Sequence, residues 1–248
     1  MRRGSLFALV LVFALGGCET PTAPEAEAEI QASYYGGSDA VRTYRVTVTN
    51  LTSSQPMTPP LVATHDRRVR LYRIGRRASE GIKEIAENGN LSVLQERLEA
   101  SKRVSSVVIA AGDPPPLLQG QSITFEITAS GRAHFLSWAS MLICTNDGFT
   151  GNNRIFLPRK VGATRWARSY GFDAGTERNT EDFADIVPPC QIFGATSSDD
   201  AGTGMSNPEL ATKGRVRFHR GIRGGNDLVP ELHGWKNPVA SIKVERIG

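Results

Sequence analysis

The residues best suited to chemistry are three acids set among turn formers. Asp147 stands in "CTNDGFTGNNRIFLP", residues 144–158, while Asp173 and Glu177 stand in "DAGTERNTED", residues 173–182. Carboxylates in loops are hard oxygen ligands, and calcium accepts about six to eight such oxygens in irregular geometry. Solvent-facing acids without an ion, or a hydrolytic pair formed by Asp147 and Asp173, fit the same residues, and spacing does not separate these readings. Asp173 and Glu177 lie four positions apart, which suits one helix face, but Gly175 and the preceding "GFDAGT" favour a tight loop. Asn146 adds an oxygen, and its expected role is an Asx turn that aims Asp147. Magnesium, which demands smaller octahedral geometry, is the nearer rival to calcium. Zinc is disfavoured, because His65, His134, His219 and His233 are widely spaced and join no HExxH or close Cys/His group.

Other chemistry is sparse. Ser79, Ser137 and Ser140 lie in no GxSxG elbow, and "GIRGGND" lacks the spacing of a phosphate-binding loop. A non-enzymatic binding module is therefore expected. The segment "TKGRVRFHRGIRGG" carries Arg215, Arg217 and Arg220, whose alternation around Val216 and Phe218 suits a basic outer strand face for an anionic glycan, a phospholipid or a surface protein. An ordinary solvated face is the competing reading. Phe149 and Trp235 are aromatic anchor candidates, with sandwich closure the favoured role for Trp235.

Short strands must position these residues. In "TYRVTVTN", Tyr44, Val46 and Val48 alternate with polar neighbours, and Ile123, Phe125 and Ile127 repeat the pattern in "SITFEITASG". "AHFLSWASMLIC" is apolar at both parities, the pattern of a central strand covered on both faces. "KGRVRFHRG" and "NPVASIKVERI" supply later strands. Two short helices interrupt the order: "ASEGIKEIAENGN" presents Ile82, Ile85 and Ala86, and "NLSVLQERLEA" presents Leu91, Leu94 and Leu98 with Asn90 as a cap. The pattern predicts an all-β antiparallel sandwich with these helices covering one edge.

The N-terminus reads as an export signal. Arg2 and Arg3 precede an apolar run, Leu6 to Leu15, that is shorter than the roughly 20 residues of a bilayer span. "LGGC" resembles the lipobox of bacterial lipoproteins, which implies removal of residues 1–17 and a lipid on Cys18; an ordinary signal peptide with an incidental cysteine is the alternative. Residues 18–41 then form a Pro-, Ala-, Glu- and Thr-rich tether, and residues 42–248 the folded domain. The resemblance to bacterial lipoproteins further implies that Glu19, rather than Asp, after such a cysteine favours the outer membrane, with the domain in the periplasm or at the cell surface. The full chain has a formal charge of +4, too small and too mixed to argue for nucleic acid. In an oxidising compartment Cys144 and Cys190 are expected to pair, clamping the second acidic loop to the strand end beside the first; two separate buried thiols are the alternative.

Taken in order, "YRVTVTNLT", "RRASEGIKEIAENGN", "FLSWASMLICTNDGFTG", "GFDAGTERN" and "VRFHRGIRGGNDLVPELHGWKNPVASIKV" resemble the spondin N-terminal domain family, in particular its bacterial lipoprotein-like members, from about Thr43 to the C-terminus. The resemblance implies a C2-like sandwich and a calcium ion held by end loops, with Asp147, Asp173 and Glu177 at the ligand positions. Gly148 replaces the usual aromatic after the first aspartate, and Glu177 replaces the usual final aspartate. It also implies a calcium-binding adhesion or ligand-binding module of the cell envelope. The alternatives are a structural envelope scaffold without a dedicated ligand and, more remotely, a hydrolase.

Overall fold

In the computed structural model, residues 40–112, 115–188, 190 and 206–248 are described here. The expected signal peptide, Cys18 and most of the expected tether lie outside them, as do Asp199 and Asp200.

Ten strands form two antiparallel sheets. The four-stranded sheet has the order β4-β1-β10-β7, from Ser122–Ala129, Arg42–Asn50, Ala240–Arg246 and Thr164–Ser169. The six-stranded sheet has the order β3-β2-β5-β6-β8-β9, from Val104–Ile109, Leu61–His65, Phe135–Met141, Gly148–Phe156, Gly171–Asp173 and Arg217–Phe218. Both conform to the expected sandwich. Tyr44, Val46 and Val48 of β1 meet Ile242 and Val244 of β10 and Leu136 and Trp138 of β5 in the core between the sheets.

A second core lies on the outer face of the six-stranded sheet. There Leu61 and Ala63 of β2, Ala139 and Met141 of β5, and Phe149 and Phe172 pack against Ile82, Ile85 and Ala86 of α1 (Glu80–Asn88) and Leu94 and Leu98 of α2 (Ser92–Glu99). This explains why β5 is apolar at both parities: one set of side chains enters each core. The helices therefore cover a sheet face, not an edge. Burial of Phe149 in this layer also removes it as an exposed anchor. α1 begins at Ser79, whose side chain accepts from the Ile82 N–H, and ends at Gly89 in the left-handed region. Asn90 accepts from the backbone and hydroxyl of Ser92 at the start of α2.

The stretch 148–156 departs from expectation. Its Gly and Asn content suggested a long turn, yet it is a nine-residue strand. Gly151 lies so close to β5 that an added Cβ would stand 2.1 Å from the Trp138 carbonyl oxygen, and Asn152 accepts the Trp138 indole N–H at 2.9 Å. The residues that look like turn formers are those that let β6 lie against a tryptophan. β9 is shorter than expected, two residues long, with Phe218 exposed and Val216 buried just before it.

Cys144 and Cys190 form a disulfide, as expected. It fastens the turn after β5 to the chain that follows the second acidic loop. For a closed loop of 46 residues, the chain-entropy model gives about 4 kcal/mol. Mild reduction should lower stability to urea by that order, and non-reducing peptide mapping should recover this pair as one crosslinked species.

Candidate functional site

The turn between β5 and β6 is built to present Asp147. The Thr145 hydroxyl donates to the Leu142 carbonyl and accepts from the Gly148 N–H, closing the turn locally. Asn146 does not make the expected Asx turn. Its amide donates to the Thr180 hydroxyl, and its oxygen accepts from the Thr180 and Glu181 N–H groups. Asn146 thus ties the first acidic loop to the second.

Asp147 makes the same connection with charge. Its Oδ2 accepts from the Thr176 N–H at 2.7 Å, the Glu177 N–H at 3.1 Å and the Thr176 hydroxyl at 3.3 Å, and its carbonyl accepts from the Ala174 N–H. The chain between must bend sharply. Gly175 has φ of +71°, and a Cβ there would stand 2.5 Å from the Arg215 nitrogen, so both conformation and space require glycine.

What remains unsatisfied defines the site. Asp147 Oδ1, both carboxylate oxygens of Glu177 and Oε1 of Glu87 are buried without a hydrogen-bond partner. Glu87, near the end of α1, is the residue that sequence reasoning missed. It sits in the second core's helix with 3% exposure, and its one modest ion-pair partner is Lys83 at 3.8 Å. A glutamate buried on an apolar helix face is the signal that could have found it, but only once the face is known.

The three acids feel one another. Burial, then the Asp173 charge, raises the Asp147 pKa to about 6, with Glu87 adding to the effect. Burial, then Glu87 and Asp147, raises Glu177 to about 8; the Asn207 backbone N–H offsets part of this without reaching hydrogen-bond geometry. Burial likewise raises Glu87. Asp173 is placed differently. Its Oδ1 accepts from the Gly175 N–H, and its Oδ2 accepts from the Asn179 amide and from two Arg217 nitrogens, the closer at 2.8 Å. The structure therefore brings Asp147 and Glu177 together with Glu87, and commits Asp173 to Arg217. Among the described residues, no group of three or more His, Cys, Asp or Glu side chains forms a ready-made metal-holding cluster.

The residues nonetheless fit a hard cation. Four buried carboxylate oxygens without donors are costly as they stand, and a proton or a divalent ion removes that cost. Asp147 is already oriented by N–H groups on one oxygen, leaving the other free.

The family model Spondin_N matches the chain from residue 49 to residue 183, more than half of the sequence, a span that includes α1, α2 and both acidic loops. The protein belongs to the Spondin_N family. No curated protein matches it. Membership in Spondin_N points to an extracellular, adhesion-type module. Among the described residues no helix is long and apolar enough to cross a membrane.

The remaining sequence candidates fall into three sets. Arg215, Arg217 and Arg220 are exposed as expected, but Arg217 holds Asp173 and Arg215 donates to the Gly75 carbonyl at 2.9 Å. The histidines do not converge: His65 bonds Ser137, His134 bonds Arg42, and the Nδ1 atoms of His219 and His233 accept from the Gly221 and Val229 N–H groups. "GIRGGND" has a structural task, for the Arg223, Gly224 and Gly225 N–H groups all donate to the Glu181 carboxylate.

Proposed function

We propose that this Spondin_N domain is a calcium-stabilised adhesion or ligand-binding module of the cell envelope, held to a lipid bilayer through Cys18. The observation that carries the reading is the set of unpartnered carboxylate oxygens on Asp147, Glu177 and Glu87 beneath the two acidic loops. Calcium would be held by these oxygens together with loop carbonyls and water, with Asp173 and Arg217 bracing the second loop from outside. The ion supplies positive charge where the fold has placed acids without donors, and so stiffens the loops 142–147 and 173–182. The reading here is binding, with the acids holding an ion in place of activating a nucleophile. The export signal and lipobox-like "LGGC" support an exported lipoprotein, with the outer membrane as its expected site.

Purified domain should bind envelope fractions in calcium and lose a large part of that binding in excess chelator. A purely structural scaffold would associate equally in both conditions. Mass spectrometry of the mature N-terminus should find a lipid-modified Cys18, and the Cys18→Ser variant should be released from the membrane.

A further inference from the structure

The densest charge on this protein lies outside the segment that sequence reading singled out. Residues 67–77, "RRVRLYRIGRR", carry six arginines at positions 67, 68, 70, 73, 76 and 77. All six are exposed, and none has an acidic partner among the described residues. The nearest acid in sequence, Asp66, is taken by Arg103 at 3.0 Å.

The loop is nonetheless anchored. Leu71 and Tyr72 are buried in the outer core. The Tyr72 hydroxyl donates to the Gly151 carbonyl at 2.7 Å, and the Leu71 N–H donates to Asn153. Farther along, the Gly75 N–H donates to the Val216 carbonyl and the Val216 N–H to the Arg76 carbonyl. The two basic stretches of the sequence therefore meet, and Arg215 joins the same surface through Gly75. Between the loop and α2 runs a groove of about 320 Å³ in which every charged lining residue is an arginine, five from the loop and Arg97 from the helix.

Exposed like charges held together repel one another: the Arg70 pKa is lowered first by desolvation and then by the Arg154 and Arg73 charges. A fold that fixes such a loop with buried anchors and gives it no counter-charge leaves the counter-charge to a ligand. Guanidinium groups pair in bidentate fashion with phosphate, sulfate and carboxylate. We infer that the groove between residues 68–77 and α2 binds a linear polyanionic glycan, successive acidic groups of the chain meeting successive arginines. A concave trough suits a chain better than a flat bilayer surface, and Ile74 is the one large apolar side chain that the loop exposes.

This rests on the adhesion reading but not on calcium. The test is binding of the purified domain to polygalacturonate and heparin as carboxylate and sulfate probes, with neutral dextran and anionic phosphatidylglycerol vesicles as comparisons, in calcium and again in chelator. The Arg73→Gln/Arg76→Gln variant should bind the acidic polysaccharides at least about tenfold more weakly at low salt, with the difference shrinking as salt rises. The Lys160→Gln/Arg165→Gln variant, which removes the same charge near β7, should bind as the wild type does. Persistence of binding in chelator keeps the inference independent of the metal site. Equal losses in both variants, no binding to either polysaccharide, or binding to vesicles alone would overturn it.

Discussion

Metal-free protein is expected to lose stability as the pH rises from about 4.5 toward 8, and the Glu177→Gln variant should lose the part of that dependence that lies between about 6 and 8. Burial and the neighbouring acids raise the Glu177 pKa from 4.5 to about 8, so the folded state holds a proton that the unfolded chain releases. The stability tied to this group is fully present below 4.5 and is lost as pH climbs through 8. Asp147 acts in the same direction between 3.8 and about 6. At about 1.4 kcal/mol per unit of pKa difference, Glu177 alone accounts for a loss on the order of a few kcal/mol. Burial lowers the pKa values of His65, His219 and His233, and these groups favour the folded state as pH rises. The comparison of wild type with Glu177→Gln in urea titrations across this range isolates the carboxylate. Glu177→Gln should be the more stable protein at pH 8 in chelator, and calcium should stabilise the wild type more than the variant. Parallel pH profiles for the two proteins would contradict the burial of this carboxylate without a partner.

The second large effect concerns the scaffold. Trp138→Ala is expected to cost about 3–5 kcal/mol, the range for truncating a large buried aromatic. Trp138 is fully buried between the sheets, and its indole N–H donates to Asn152. Asn152 also accepts from the Ser169 hydroxyl and donates to the Arg168 carbonyl, so it links β6 to the facing sheet's edge strand. Removing the ring leaves a cavity in the core between the sheets as well as a weakened polar link. Urea denaturation measures the loss. A cost below about 1 kcal/mol would show that the ring does not fill this position.

The fold was legible wherever side chains alternate simply. β1, β4 and β10 bury the residues that their period of two selects, and the double-sided apolarity of β5 correctly marked the central strand. β6 was not legible, because Gly151 admits the Trp138 carbonyl, Asn152 accepts the Trp138 indole N–H and Asn153 holds Leu71 and Tyr72, contacts across the fold that local composition does not reveal. β2, β3, β7 and β8 are short, and their place follows from the sheet more than from their own pattern. The helices were visible as amphipathic segments, but their seat on a face depended on a second core that the strand patterns showed only through β5.

The site was legible in part for the same reason. Asp147 and Glu177 were conspicuous among turn residues, and the loops that carry them do meet. Asp173 looked equivalent, yet its oxygens go to Gly175, Asn179 and Arg217, and this pairing arises from the antiparallel register of Asp173 with Arg217. Glu87 sits in a helix 60 residues before Asp147. Only the packing of α1 beneath the loops brings it to the acids.

Calcium titration of the metal-free domain by isothermal calorimetry addresses the central claim most directly. The wild type should bind calcium, and Asp147→Asn, Glu177→Gln and Glu87→Gln should each weaken binding by about tenfold or more, the loss expected when a charged ligand is removed. Asp173→Asn should weaken it less, because that carboxylate already serves Arg217. Absence of calcium binding by the folded wild type, or unchanged affinity in Asp147→Asn and Glu177→Gln, would contradict the account.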